Sequence, residues 1–499
     1  MTNFAHRWRS AALAAAMLLP LNPAHPAPAP TIADLLRRIE EQDKKIQALE
    51  QKLQTQDVQL QAQGNQLQAQ GDQEQKVLVL ERKLEIQEEA DKAAAASTAT
   101  VKASEKGFSI QSADGKNQVK LGGVLHVDGR FMTSEQESLP DTWQITRARP
   151  ILEGTVGGIY DFRFMPDFGQ GKTVIQDAYI TGRFKPEFQV TAGKFKSPVG
   201  LERLQSAKDM RFVARGLPTN LVPNRDIGLQ VAGNVMGDRV NYQLAWLNGS
   251  SDGSSSDSFG DTDPNSDKEW AGRLWFNPFA ESDSLALRGL GVGIAGTYAD
   301  QDGTASQTLL PTYRSPVNAT FFRYRTGATP TVADGVRTRF APQVYYSVGS
   351  FGLLGEYYEV GTDVARTTTA GTRTGTVDAS AWQLALHWFL TGEEQSFRGY
   401  KPNSVFSLDN GTWGAFELVG RYHELRVGDE AFAGGAESFA DPSQAARKAS
   451  GYSLGLNWYL NQNLKWVLDW EHTAFDGGAP NGEDLETENA VLTRFALGF

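Results

Sequence analysis

The densest positive charge in this sequence lies between Lys194 and Asp226. The segment holds seven basic residues and three acidic ones, a net charge of +4 in a chain whose total is −11. Guanidinium and ammonium groups bind phosphate and other small anions, arginine through a planar fork of donors and lysine as a point charge. The segment therefore predicts a site that faces anions. Its basic residues are Lys194, Lys196, Arg203, Lys208, Arg211, Arg215 and Arg225.

A second set of basic residues recurs on the polar side of alternating segments. Arg130 lies on the polar face of the first of these segments, and Arg147 and Arg149 share a face of the second. These arginines could pair with carboxylates and have a purely structural role, or they could select ions by charge. The sequence favours the two roles equally. The other basic residues are Arg163, Arg273, Arg421 and Arg494, and the carboxylates are Asp128, Glu153, Asp161, Asp177 and Glu417.

The histidines argue against catalysis. After the first thirty residues only four remain: His126, His387, His423 and His472. None has a neighbouring motif for acyl transfer, whereas a hydrolase needs a serine with a histidine partner, or a metal. We therefore predict no enzymatic activity, no metal site and no cofactor. The net charge of −11 also argues against nucleic acid as a partner.

The elements that must position these residues are β-strands. Near residue 119 the sequence alternates, with Leu121 and Leu125 on one face and His126 and Asp128 on the other. Such alternation, repeated many times, is the signature of a transmembrane barrel. It predicts an all-β fold, a sixteen-stranded transmembrane antiparallel β-barrel. The predicted strands begin near Val119, Trp143, Ile159, Thr173, Phe188, Ile227, Val240, Lys268, Leu290, Arg339, Phe351, Ser380, Thr412, Ala449, Leu464 and Asn489.

The connections between these strands alternate in length, as expected for short periplasmic turns and long outer loops. One connection departs from this rule, because residues 391–411 form a long segment on the short-turn side. The pattern itself offers no reason for this exception. The predicted outer loops cover residues 196–226, 248–267, 299–338, 361–379 and 428–448.

Both chain ends support export to an outer membrane. Residues 1–30 combine Arg7 and Arg9 with a short apolar stretch and a Pro-rich tail, which predicts a signal peptide. The last strand ends in Phe499 and resembles the signal that barrel-assembly machinery reads. We expect this machinery and outer-membrane lipid as partners, and the outer membrane of a Gram-negative cell as the location.

A seven-residue apolar period runs through residues 31–90, with Ile39, Ile46, Leu53 and Leu60 among its members. Sustained heptads predict an α-helical coiled coil, here on the periplasmic side. A lone amphipathic helix or a disordered spacer is the alternative, and a tether toward the cell wall is a further role for the same segment. A linker over residues 91–116 and the barrel over residues 117–499 complete the predicted domains.

Several strings resemble the phosphate-selective porin O and P family, in the same order along the chain. Their presence from residue 119 to the end implies a homotrimer of sixteen-stranded barrels, each with its own pore. The strings are ITRARPILEGTV (145–156), DAYI (177–180), AGKFKSPVGLERLQSAKD (192–209), LTGEE (390–394), GAFELVGRYHELRV (414–427) and YSLGLNWYLNQNLKW (452–466).

In the family's well-known members, anions descend a ladder of arginines to a central site of arginine, lysine and a nearby acid. The resemblance implies a corresponding constriction, formed by strand arginines and an inward-folded third outer loop. Its candidates are Arg130, Arg147, Arg149, Arg203, Lys208 and Asp177, and the candidate ladder residues are Arg273, Arg323 and Arg325.

Two departures from the family pattern weaken the expected phosphate specificity. Gln176 stands where an acid is expected, and Thr146 replaces one arginine of a double-arginine motif. The expected function is passive diffusion of small anions, phosphate or polyphosphate foremost. The alternative is a general or cation-preferring porin whose arginines are neutralised by lumen carboxylates.

Overall fold

The computed structural model describes residues 32–104, 107–133, 139–263 and 265–499. The chain divides into two compact units, residues 1–93 and 94–499. The predicted signal peptide lies outside the described residues. No described helix combines the length and apolar character that a membrane span requires.

The first unit is built on one helix, α1, which runs from Ile32 to Ser97. Gly64 and Gly71 lie within it and do not interrupt it. Its heptad residues, among them Ile39 and Leu60, are exposed to solvent. Because an exposed apolar stripe is what a coiled-coil seam presents before it associates, self-association stays a prediction.

The predicted linker at residues 91–116 differs from the structure. Helix α1 reaches Ser97, and an antiparallel hairpin of Thr100–Ser104 and Gly107–Gln111 follows. The second strand of this hairpin pairs with the start of the first barrel strand, where Phe108 lies opposite Leu121. The alternation of Phe108 and Ile110 with polar residues explains why this segment adds to a sheet.

The second unit is a closed antiparallel barrel of sixteen strands, as predicted. Closure is direct, since the last strand pairs with the first from Ala490–Met132 to Gly498–Val124. The strands are β1 Gln118–Met132, β2 Thr142–Val156, β3 Tyr160–Asp167, β4 Val174–Lys185, β5 Phe188–Phe195, β6 Asp226–Val235, β7 Val240–Leu247, β8 Glu269–Phe276, β9 Leu290–Asp302, β10 Thr331–Val348, β11 Phe351–Thr368, β12 Gly371–Phe389, β13 Ala415–Val427, β14 Ala446–Tyr459, β15 Leu464–Gly477 and β16 Glu488–Gly498.

One predicted outer loop is wrong. Residues 361–379 are not a loop, because β11 and β12 continue as a paired ladder to a tight turn at Thr368 and Gly371. The outward side of this ladder carries Asp363, Thr376 and Asp378 instead of apolar residues. The apolar alternation that marks a membrane strand therefore ends, while the backbone pairing continues.

Side chains alternate between two faces along the strands. On β14, Tyr452 and Leu454 are exposed on the outer side, whereas Ser453 and Asn457 are buried toward the lumen. Aromatic pairs lie on the lipid-facing surface near the ends of the strands, for example Phe351 stacked on Trp388 with ring centroids 5.4 Å apart. These are the positions where an interfacial girdle belongs.

The third outer loop, residues 196–225 and called L3 below, folds into the barrel. Backbone N–H groups of L3 donate to lumen side chains of the far wall: Leu201 to Glu356 at 2.7 Å, Val213 to Asp469 at 2.6 Å, and Leu217 to Nδ1 of His423 at 2.9 Å. L3 includes the short helix α2, Leu201–Leu204. Because buried carboxylates need donors, these contacts hold L3 against β11, β13 and β15.

Apolar residues of L3 complete this attachment. Val199, Leu217 and Leu221 are buried in one cluster with Tyr358 of β11 and Leu425 of β13. Gly200 permits the approach, since it has a φ of 91° and a Cβ there would lie 2.9 Å from Val222. L3 is thus packed as a core element on one side of the lumen.

The fifth outer loop, residues 303–330, adds a small hairpin of Thr312–Arg314 and Thr320–Arg323. Its rings Tyr313, Phe321 and Phe322 are buried in the same cluster that holds part of L3. The Asn220 side chain of L3 donates to the carbonyl oxygen of Arg314 at 2.9 Å. The two loops are therefore joined above the lumen.

The long connection on the short-turn side, residues 390–414, is called the rim loop below. The carbonyl oxygen of Ser396 and Oε1 of Gln395 both accept hydrogen bonds from Nη2 of Arg211 in L3, at 2.6 and 3.0 Å. The Tyr400 ring lies 3.9 Å from that of Tyr459. The length of this connection thus has a structural reason, because part of it turns into the lumen to reach L3.

Candidate functional site

Three cations of L3 lie inside the barrel without a carboxylate partner among the described ion pairs. Lys196 donates to the carbonyl oxygens of Leu204 and Gln205 at 3.2 and 2.6 Å. Arg203 donates from Nη2 to the carbonyl oxygen of Thr219 at 2.7 Å, and Arg215 makes longer contacts to backbone carbonyls. Backbone carbonyls orient these groups but leave their positive charge uncompensated.

Burial and neighbouring positive charges lower the pKa of all three side chains. Burial lowers the pKa of Arg203 to about 10, and the charge of Arg225 adds to this effect. Two effects lower the pKa of Arg215 to about 9: burial, which is the larger, and the nearby charge of Arg203. Burial, then Arg225 and Arg215, hold the pKa of Lys196 well below its usual value. The protonated forms are destabilised here, so an anion placed among them would relieve that cost.

Strand β2 brings further cations to the same region. Arg147 contacts Nδ1 of His126 at 2.9 Å. It also lies close enough to Arg149, Arg215 and Arg494 for their charges to interact. Among the described ion pairs Arg147 has none, whereas Arg494 is paired with Asp128 at 2.6 Å.

Other wall arginines are neutralised. Arg149 donates from Nε to Asp167 at 2.7 Å. Asp177 accepts from two arginines, Arg163 at 3.1 Å and Arg225 at 3.0 Å. Asp177, a predicted constriction residue, is thus the acid that holds two cations beside the lumen. This arrangement fits the structural interpretation of these arginines as well as a selective one.

A cavity of about 500 Å³ lies between L3 and the wall formed by β2 to β7. Five cationic side chains line it together with the carboxylate of Asp177; three of them are paired with carboxylates, and Lys196 and Arg398 remain as an excess without a described ion pair. Such an excess gives a confined, water-filled space a positive potential. The cations are Arg149, Arg163, Lys196, Arg225 and, from the rim loop, Arg398.

Two predicted constriction residues lie elsewhere. Arg130 is near the outer end of β1, where Nη1 donates to the carbonyl oxygen of Val317 at 2.6 Å. Lys208 is exposed in a separate cavity that Lys120 and Phe499 also line, at the opposite end of the barrel. Between Arg203 and Lys208 the L3 chain turns away, so the two do not form one site.

The candidate ladder residues also separate. Arg273 faces the lumen, with its Nε donating to Gln343 at 3.2 Å and its guanidinium 4.8 Å from the ring centroid of Trp275. Arg325 is instead paired with Asp441 at 2.9 Å and holds the seventh outer loop. Arg323 is exposed on the hairpin of the fifth loop. Of the three candidate ladder residues, only Arg273 has a side chain that faces the lumen.

Five cations at the site were not among the candidate constriction residues: Arg163, Lys196, Arg215, Arg225 and Arg398. Lys196, Arg215 and Arg225 belong to the basic segment, and their number was the only available signal. Arg398 had no signal, because the sequence pattern offered no reason for the long connection that carries it.

Comparison with known proteins assigns this architecture. The sequence profile of the family described as phosphate-selective porin O and P matches residues 119–499. The chain belongs to this family. The match covers every barrel strand except the first residue of β1, so the whole membrane unit is that of a porin.

A curated relative agrees with the family. Porin O of Pseudomonas aeruginosa is 26% identical over 384 residues, which cover 72% of this chain and 83% of the relative. The chain is therefore an outer-membrane porin and a channel rather than an enzyme.

Solved structures show weaker likeness. DcaP, an outer membrane channel of Acinetobacter baumannii, has a TM-score of 0.49 at 12% identity and covers 79% of this chain and 99% of its own. An anion-selective porin from Comamonas acidovorans has a TM-score of 0.44 at 12% identity, covering 77% and 100%. The family membership does not depend on these two likenesses.

Proposed function

We propose that this porin conducts small anions, with phosphate or polyphosphate as the physiological cargo, through the passage between L3 and strands β2 to β7. The observation that supports this is the charge of that passage: five cations line it, and two of them, Lys196 and Arg398, have no described ion pair. Arg203 and Arg215, which lie close to Arg225, add charge, and their described hydrogen bonds are to backbone carbonyls. Cation-lined constrictions favour anions.

Passage requires weak and replaceable contacts. Phosphate offers strong acceptor oxygens, which arginine donors can satisfy in place of water. Each donor that touches only a carbonyl can turn toward an anion without breaking an ion pair. Release then needs only the return of water, so the pore saturates at moderate phosphate concentration and does not plug.

A general or cation-preferring porin is the second candidate. The ion pairs of Arg149 with Asp167, and of Arg163 and Arg225 with Asp177, favour it. In that case most wall charges cancel locally, and the surplus comes mainly from L3. The two candidates therefore differ in whether Arg203 and Arg215 affect permeation.

The test is the reversal potential of the purified porin in a planar bilayer under a potassium chloride gradient. The proposal requires chloride to be favoured, and requires Arg203→Glu and Arg215→Glu to reduce or reverse that preference. Arg239→Glu is the control, because Arg239 lies outside the passage in an exposed pair with Glu281. Equal chloride and potassium permeability in the unmodified porin would support the second candidate.

We also propose a homotrimer, with α1 of each copy joined in a periplasmic coiled coil. The exposed heptad stripe of α1 supports this association. Phe499 directly follows β16, and its amide donates to the carbonyl oxygen of Gly123 at 3.1 Å. This terminal strand is the segment that we expect barrel-assembly machinery to bind.

A further inference from the structure

The rim loop carries a second feature, a small hairpin that packs on the outside of the barrel. Its strands are Phe406–Ser407 and Thr412–Trp413. The ring of Phe406 meets that of Trp458 edge-on at 5.3 Å. The indole N–H of Trp458 donates to the carbonyl oxygen of Trp413 at 2.6 Å. The hairpin is therefore fixed to the wall and does not hang free.

The face that receives the hairpin points away from the lumen. Trp458 stacks on Phe416 at 5.9 Å with nearly parallel rings. Their chain neighbours Glu417 and Tyr459 are buried on the lumen side. Because side chains alternate across a strand, Phe416 and Trp458 belong to the outer girdle.

The hairpin leaves its own apolar side chains uncovered. Val405 is 52% exposed, Trp413 59% and Leu408, at the tip, 79%. Single exposed apolar residues are ordinary, but three within nine residues that continue an aromatic girdle form a patch. The patch lies at the end of the barrel that carries the short turns, which faces the periplasm in bacterial barrels.

We propose that this hairpin inserts into the periplasmic leaflet of the outer membrane, where Leu408 and Trp413 contact phospholipid at the depth of the headgroup boundary. Continuity with the girdle identifies lipid as the occupant, because the surface that the hairpin extends already faces lipid. Tryptophan suits this depth, with an apolar body and a polar N–H. Asp409 and Asn410 of the turn are exposed and polar, which suits the headgroup boundary better than the hydrocarbon core.

The inner part of the same loop contacts L3 through Gln395 and Ser396. The rim loop thus straddles the barrel wall, with one part in the lumen and the other at the lipid surface. Insertion of the hairpin would give the lumen part a fixed support.

The experiment uses the absence of cysteine in the native sequence. Leu408→Cys in the full chain is labelled with a polarity-sensitive fluorophore and reconstituted in phosphatidylethanolamine and phosphatidylglycerol vesicles. Lys116→Cys is the matched control, at an exposed turn that bonds to the neighbouring turn of the same rim through Gly158. Nitroxide lipids labelled near the headgroup, and aqueous acrylamide, are the quenchers.

The proposal predicts that nitroxide lipid quenches the label at residue 408 several-fold more strongly than the label at residue 116, with the reverse order for acrylamide. Quenching at residue 408 by acrylamide alone would place the hairpin in water. Protection from both quenchers would mean that a second copy or another protein covers it. Either result overturns the proposal, and neither depends on which ions the porin conducts.

Discussion

Arg211 of L3 donates from Nε to Oε1 of Glu417 at 3.0 Å, and both side chains are buried inside the barrel. Glu417 also accepts from Gln395 at 2.7 Å and from Asn457 at 3.1 Å. One carboxylate of β13 therefore joins the constriction loop, the rim loop and the adjacent strand β14. The position of L3, and with it the width of the passage, depends on this junction.

Removing the cation from this junction is expected to cost stability. Arg211→Met leaves Glu417 buried without its charge partner, which lowers the free energy of unfolding by about 3–5 kcal/mol. Urea unfolding in detergent micelles measures this. Arg239→Met is the control, because an exposed pair contributes only about 0–1 kcal/mol. Equal effects of the two substitutions would contradict the role of Arg211.

Lys196 is expected to make selectivity depend on pH below the range of an ordinary lysine. Its pKa is held well below its usual value, chiefly by burial. A lysine is charged below its pKa, so this charge is lost as the pH rises through that lowered value. The chloride-to-potassium permeability ratio should therefore fall with rising pH before exposed lysines titrate.

Lys196→Arg provides the comparison for this measurement, since an arginine at this position loses its charge only at a higher pH than the lysine does. The ratio of the variant should stay flat where that of the native porin declines. Identical pH profiles would show that Lys196 does not contribute to the passage.

The separation of Arg203 from Lys208 is expected to appear in phosphate block of chloride current. Arg203→Gln should raise the half-blocking phosphate concentration by about tenfold, the loss of one charged hydrogen bond. Lys208→Gln should leave it nearly unchanged, because Lys208 lies in the other cavity. A larger effect at Lys208 would move the anion site toward the periplasmic end.

The helix α1 is expected to stabilise assembly without changing conduction. Leu60→Asp places a charge in the heptad stripe and should lower the melting temperature of the trimer, whereas Gln61→Asp, one residue further on, should not. Light scattering after heating measures the oligomer, and bilayer recording measures conductance. Unchanged trimers in both variants would leave a tether as the role of this helix.

The strands were predictable because lipid imposes a period of two on them. Beyond the lipid-facing part of the strands this period is lost, and the prediction failed there. Asp363 and Thr376 are hydrogen-bonded at 2.6 Å in a regular ladder, although the polar sequence around them predicts a loop. The hairpin around Phe108 was missed for the opposite reason, since five-residue strands are too short to show a period.

The sequence predicted which segment carries the positive charge of the site, but not how its side chains are arranged in space. The excess of basic residues in L3 indicated an anion-facing loop. Which of them gather depends on where the loop turns, and Arg203 and Lys208 separate within five residues. Arg398 enters the passage from a loop anchored at Glu417 and Tyr459, and no local pattern encodes a contact between such distant segments.

The long hairpin of β11 and β12 has a consequence for how anions reach the pore. Its outer face changes from Tyr357 and Trp382 to Glu359 and Ser380, which are paired across the strands. From there to Thr368 roughly 30 Å of strand, tilted by about 40°, rises about 23 Å above the bilayer. This height is about three Debye lengths at physiological salt. At that distance dissolved salt screens the negative headgroups of the outer leaflet, so an anion that reaches the tip of the hairpin is hardly repelled by them.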